Sequence, residues 1–237
     1  MANPKSTFVC TECGWSTPKW VGRCGECQAW DSMQEGAAGG GRGLGVSKQV
    51  RAVKLVESSA AKPITDVSTA RVAAWSTQVG EFDRVLGGGL VPGAVVLLSG
   101  EPGVGKSTLL LEVAANTAKS GKKVLYVTGE ESVGQVRLRA ERTGALTDNL
   151  YLAAETDLST VLGQIDAVNP ELLVVDSVQT IAANEIDGAA GMPSQIREVA
   201  ANLIRVAKER SLPVILVGHV TKDGSIAGPR ALEHLVD

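Results

Sequence analysis

From about residue 76 onward, short apolar runs alternate with segments whose apolar positions recur at helical spacing. Residues 95–99, Val124–Thr128, 150–153, Leu172–Asp176 and 213–218 are strand-sized and apolar almost throughout, the pattern of strands buried on both faces. Between them the spacing predicts helices over 106–120, from Ser132 to near Gly144, over Leu158–Val168 ahead of Pro170, and around Ile196, Val199, Ala200, Leu203, Val206 and Ala207. Such alternation predicts an α/β fold, with a mainly parallel sheet covered by helices on both faces. The sequence holds no internal repeat.

Upstream the pattern changes twice. Residues 1–30 are rich in cysteine, glycine and tryptophan, and residues 31–75 form a glycine-rich basic linker before the core at 76–237. Within 36–46, six of eleven positions are glycine, and residues 42–71 carry six Lys/Arg against two Asp/Glu. A solvated flexible connector accounts for this composition, and so does a segment that touches nucleic-acid phosphates. The overall charge of −3 excludes a globally basic DNA-coating protein, so any nucleic-acid surface must be local. At 44% apolar and 21% charged residues, the chain has enough apolar side chains for a core and is not a disordered polymer.

No apolar run approaches the ~20 residues of a spanning helix, so no membrane association is expected. The start, Met1-Ala2-Asn3-Pro4-Lys5-Ser6, has no apolar signal region, and a cytoplasmic location is the expectation.

The four cysteines fall as Cys10-x2-Cys13 and Cys24-x2-Cys27. Each pair can place two thiolates on one ion, and two pairs complete a tetrahedral sulfur cage suited to structural Zn²⁺. Gly14 and Gly25, just after the first cysteine pair and within the second, are expected to permit tight turns. Two disulfides, or an iron site of rubredoxin type, are the competing uses of this spacing. Four sulfurs leave no open coordination position, so the ion would hold the fold of a unit too short to bury a sufficient core.

Gly100-Glu101-Pro102-Gly103-Val104-Gly105-Lys106-Ser107 matches G-x-x-x-x-G-K-[ST] between a predicted strand and a predicted helix. With Thr108 these residues are the candidate ATP site. Backbone N–H groups would close around the phosphates, Lys106 would reach the β- and γ-phosphates, and the Ser107 hydroxyl would hold Mg²⁺. Asp176, at the end of an apolar strand, is the second candidate Mg²⁺ holder, mostly through water. Glu130 and Glu131 follow the strand Val124–Thr128, where a carboxylate could polarise the attacking water. Both could equally serve the next helix dipole. His219 either contacts the γ-phosphate or merely closes its strand.

These residues resemble the RadA/Sms family of bacterial DNA repair proteins, relatives of RecA. The likeness rests on the four-cysteine unit with Gly22-Arg23-Cys24 and Trp30, on the phosphate loop, and on Glu81-Phe82-Asp83-Arg84-Val85-Leu86-Gly87-Gly88-Gly89-Leu90. It continues through Thr128-Gly129-Glu130-Glu131-Ser132, Val175-Asp176-Ser177-Val178-Gln179-Thr180 and Gly218-His219-Val220-Thr221-Lys222-Asp223-Gly224. The resemblance implies a RecA-like P-loop NTPase core and an ATP-driven, ring-forming motor. Its substrate would be single-stranded or branched DNA, and it would assist branch migration beside a recombinase filament. It implies the catalytic roles of Glu130, Lys106 and Asp176, with Glu130 as the water-activating carboxylate, and it assigns DNA loops to 184–194 and 221–230.

Chains of that family continue with a Lys-Asn-Arg-Phe-Gly motif and a domain similar to the Lon protease. Neither occurs in this sequence, so an N-terminal portion is the expectation, with ring assembly, trans-acting cationic groups and full motor activity in question. Two further readings compete with the motor: a zinc- and ATP-binding module without turnover, and a RecA-like regulatory ATPase acting on proteins. The four cysteines speak against the latter.

Overall fold

The structure, a computed structural model, describes residues 7–13, 15–36, 61–66, 73–219, 232 and 234–237. Residues up to Ala61 and those from Lys62 onward form separate compact units.

In the first unit β1 (Thr7–Cys10) pairs antiparallel with β2 (Ser16–Thr17) and β3 (Met33–Gly36), giving a three-stranded sheet in the order β2-β1-β3. The ribbon therefore extends past residue 30, because β3 closes against β1 with Cys10 opposite Met33. Its buried centre is Cys10, Cys24 and Met33, with Phe8, Trp15 and Val21 packed around them.

The second unit is the expected α/β sandwich. All five strands are parallel: β4 (Val95–Gly100), β5 (Val124–Thr128), β6 (Leu150–Ala154), β7 (Leu172–Asp176) and β8 (Val214–His219), in the order β4-β8-β7-β5-β6. Side chains alternate between the faces. Val124, Tyr126, Leu172 and Val174 pack with α2 (Lys106–Lys119) and α3 (Val133–Thr143). Leu125, Val127, Leu173 and Val175 pack with α4 (Leu158–Val168) and α5 (Pro193–Arg210). Both faces are covered, and this accounts for strands that are apolar at nearly every position.

The helix boundaries follow local chemistry. Ser132 caps α3 in a capping box with Gln135, and Gly144 ends that helix at φ +67°. Asp157 caps α4 through the Thr160 N–H at 2.8 Å. Patterning did not foretell α1 (Gly80–Val85), which lies in the Glu81–Leu90 run. That run is structural: the Asp83 carboxylate accepts from Ser76 Oγ (2.6 Å), Thr77 N (2.8 Å) and Thr77 Oγ1 (2.7 Å). Burial pushes the Asp83 carboxyl up, but these bonds outweigh it and hold the group below the usual carboxylate range.

Parallel pairing sets every strand's C-terminal end along one edge of the sheet. Gly100 is opposite His219, and Thr128 is opposite Asp176. Because β8 lies between β4 and β7, the loop after β4 and the acid ending β7 flank His219. Open α/β sheets place their ligands along this edge.

Candidate functional site

The loop between β4 and α2 contains Gly103 at φ +82° and Gly105 at φ +96°, conformations that L side chains rarely adopt. Gly105 caps α2 without a side chain, so the first N–H groups of the helix stay free to meet an anion. Lys106 is only 8% exposed, and its Nζ donates to Gly100 O and Glu101 O, each at 2.8 Å. The ammonium is thereby held against the loop that would wrap a phosphate chain. Ser107 is half-buried beside it, while Glu101, Pro102, Val104 and Thr108 are exposed.

Asp176 is buried at the end of β7, where its Oδ2 accepts from Tyr126 Oη at 2.7 Å. The phenol itself is fully buried. Burial, then the Asp176 charge, pushes its ionisation far up, so the tyrosine is always the donor. The peptide joining Asp176 to Ser177 is cis.

The two candidate glutamates separate clearly. Glu131 pairs with Arg139 of α3. Glu130 instead accepts from Ser177 Oγ at 2.7 Å, and its Oε1 also lies 2.7 Å from His219 Nε2. Partial burial pushes the Glu130 carboxyl up, but the bonds from Ser177 and His219 and the nearby His219 and Lys106 charges prevail, leaving it below its ordinary value. Thr128 shapes the turn that carries both acids, its Oγ1 accepting from Glu131 N at 3.1 Å. Gly129 is required by space, since a Cβ there would lie 2.0 Å from Thr180 Oγ1.

The structure therefore brings Glu130, Ser177 and His219 into direct contact, with Lys106 close enough to act on Glu130 electrostatically and Asp176 adjacent in the chain to Ser177. Hard oxygen donors from Ser107 and Asp176, with a cationic glycine loop, fit Mg²⁺ and a polyphosphate. The loop 184–194 is described, and it carries Glu185 and Asp187 but no Lys or Arg. The proposed loop 221–230, and residues 42–60 and 67–71 of the basic connector, lie outside the described residues.

Sequence reasoning missed Tyr126, Ser177 and Gln195. Tyr126 was signalled by its register: it is the one hydroxyl among the β5 residues ahead of Thr128, and it stands diagonal to Asp176.

In the ribbon the four cysteine sulfurs lie within 4.8 Å of one another, with Cys10 Sγ to Cys27 Sγ at 3.7 Å and Cys13 Sγ to Cys24 Sγ at 3.5 Å. A tetrahedral zinc–thiolate site with ~2.3 Å bonds spaces its sulfurs by ~3.8 Å, so the donor set fits. None of the four forms a disulfide. The expected turn role of Gly25 is different in the structure. Gly25 does not take a positive φ; it gives Trp15 room, with a Cβ there falling 3.0 Å from the indole Cη2. Left-handed conformations fall instead on Gln28 and Asp31.

Fold and site together define an AAA-type α/β domain accompanied by a four-cysteine zinc-binding ribbon. The chain belongs to the AAA domain family, which matches residues 65–225, and residues 8–35 match the rubredoxin metal binding domain. It is similar to the DNA repair protein RadA of Mycobacterium tuberculosis strain H37Rv, at 52% identity over 100% of this chain and 49% of that protein. It is also 53% identical to the protein of the same name from Mycolicibacterium smegmatis, over 98% of this chain and 50% of the relative. The Bacillus subtilis DNA repair protein RadA is 47% identical over 100% of this chain and 51% of the relative. The chain spans about half the length of the curated relatives it matches. Among the described residues, no helix is long and apolar enough to cross a membrane.

Proposed function

We propose that this chain is the zinc-ribbon and motor portion of an ATP-hydrolysing DNA repair protein. The observation that carries the reading is Glu130, held by Ser177 and His219 at the strand edge beside the Lys106 loop. The loop N–H groups and Lys106 would bind the β- and γ-phosphates, with Glu101 to Thr108 lining the loop. Ser107 and Asp176 would hold Mg²⁺, Asp176 mostly through water, and the bound ion would neutralise phosphate charge. Glu130, kept ionised by its partners, would accept hydrogen bonding from the attacking water, and His219 would steady it next to the γ-phosphate.

DNA enters this reading through the names of the relatives and through local charge. In this proposal single-stranded or branched DNA meets the basic connector at 42–71 and the loops at 184–194 and 221–230. The cations come from the connector and from Lys222 and Arg230, because the first loop offers only backbone and uncharged or acidic side chains. Branch migration, a homo-oligomeric ring and cooperation with a recombinase filament complete the proposal. A reducing cytoplasm is the setting that keeps four thiols available to zinc.

ATP turnover measured with and without single-stranded DNA tests the reading. We expect DNA-stimulated hydrolysis that Lys106→Ala abolishes, and DNA binding that falls steeply with added salt. ATP bound without any turnover, in this chain and in a version extended to the relatives' length, would support the binding module instead.

A further inference from the structure

We propose that Tyr126 is a positioning residue for the Asp176 carboxylate, fixing which of its oxygens is left to a metal-bound water; this rests on the nucleotide-site reading above. In the pairing of β5 with β7, Tyr126 is opposite Val174 and Thr128 is opposite Asp176. Tyr126 and Asp176 are thus diagonal neighbours on one face, a separation that only a long side chain spans. Short of its C-terminal edge, the fully buried strand positions around Tyr126 on that face are Val124, Leu172, Val174, Ile215 and Val217, all apolar. A phenylalanine would fill the same volume. Short of the edge residues Thr128 and Asp176, the phenol is the exception among these apolar positions, and a buried hydroxyl is costly unless bonded.

Its partner is Asp176 Oδ2, at 2.7 Å, with both groups buried. Among the described residues no other side chain bonds the Asp176 carboxylate. One oxygen is therefore committed to the phenol and the carboxylate plane is set, while Oδ1 takes no side-chain donor among the described residues. Groups behind a metal-holding residue orient it, and their loss typically costs ~10–100-fold in metal affinity or activity.

The experiment compares the whole chain with its Tyr126→Phe variant. Binding of a slowly hydrolysed ATP analogue is followed by calorimetry while Mg²⁺ is varied, with thermal unfolding recorded in parallel. We expect the variant to bind the analogue at saturating Mg²⁺ but to need roughly 10-fold more Mg²⁺ for half-maximal tightening. Metal-free nucleotide affinity should be unchanged. In an Asp176→Ala background the Phe substitution should cause no further change, because the oxygen it orients is gone; that pair also serves if Tyr126→Phe alone folds poorly. An unchanged Mg²⁺ requirement in Tyr126→Phe, with wild-type binding that is Mg²⁺-dependent, overturns the role of Tyr126 alone. Wild-type binding with no Mg²⁺ dependence overturns the nucleotide-site reading, and this proposal with it.

Discussion

Glu130 Oε1 and His219 Nε2 meet at 2.7 Å across 89 residues of chain, joining the turn after β5 to the end of β8. The contact exists because β8 is inserted between the loop strand and the acid strand. Ionised Glu130 can only accept, so Nε2 carries the proton in this pair.

The first prediction concerns pH. Ser177 and His219 stabilise the charged form of Glu130, and its carboxyl lies below its ordinary value despite burial. Any stability this group confers is present above its unfolded-state pKa and fades as pH falls through the depressed folded one. In the proposed ATPase the acid limb of the kcat/KM profile should therefore lie below the usual glutamate range. His219→Ala and Ser177→Ala should each move that limb to higher pH, while Glu130→Gln should cut turnover by ~10²–10⁴ with ATP binding retained. An acid limb unmoved by both partner variants would remove Glu130 from the role of base.

The second concerns metal. The sulfur spacing fits one zinc per chain, and the ribbon core of Cys10, Cys24 and Met33 is too small to sustain a fold unaided. Cys24→Ser should release the ion and unfold the ribbon while the α/β unit keeps its own thermal transition. Elemental analysis of fresh reduced protein checks the stoichiometry, and iron in place of zinc would reassign the site.

Much of this was legible in sequence because buried parallel strands and a phosphate loop write themselves locally. Val124–Thr128, Leu158–Val168 and Leu172–Asp176 fall where periodicity places them, since apolar runs bounded by Gly, Pro and capping residues leave little choice. What spacing could not separate was Glu130 from Glu131. Adjacent residues after a strand diverge by partner: Glu131 turns to Arg139 on the following helix, while the partner of Glu130, His219, lies 89 residues away in the chain. Met33–Gly36 escaped because a four-residue strand with a single apolar side chain, Met33, has no periodicity to detect. Gly25 was misassigned to turn freedom because sequence does not show that Trp15 packs over it.

A third prediction follows from the crowding behind the turn that carries Glu130. A Cβ at Gly129 would lie 2.0 Å from Thr180 Oγ1 and 2.6 Å from Thr180 Cβ. Gly129→Ala should destabilise the chain by about 1–3 kcal/mol, the usual cost of overpacking. Adding Thr180→Ala should restore only part of the loss, because the nearer atom goes and the Cβ stays. Urea unfolding of the single and double variants measures both steps, and full recovery would place the strain elsewhere.

The last prediction concerns the loop 184–194. Gln195 is 1% exposed, and its Oε1 accepts from Ala183 N at 2.8 Å. Its Nε2 donates toward Ala183 O (3.1 Å), Ile186 O (3.0 Å) and Gly188 O (3.0 Å). Two N–H hydrogens thus serve three carbonyls, and one amide closes the base of the loop. Gln195→Ala strands these backbone groups and should cost about 1–3 kcal/mol. Gln195→Glu keeps the shape but sets a carboxylate against three carbonyl oxygens and the Ala183 N–H alone, so it should cost more. Hydrogen exchange should quicken at 184–192 in both variants while the amides of Leu173, Val174 and Val175, paired on both sides, stay protected. If the loop contacts DNA as proposed, Gln195→Ala should also weaken DNA binding at unchanged ATP affinity. Loop exchange as slow as in the parent chain would show that the surrounding packing, not the amide, holds this segment.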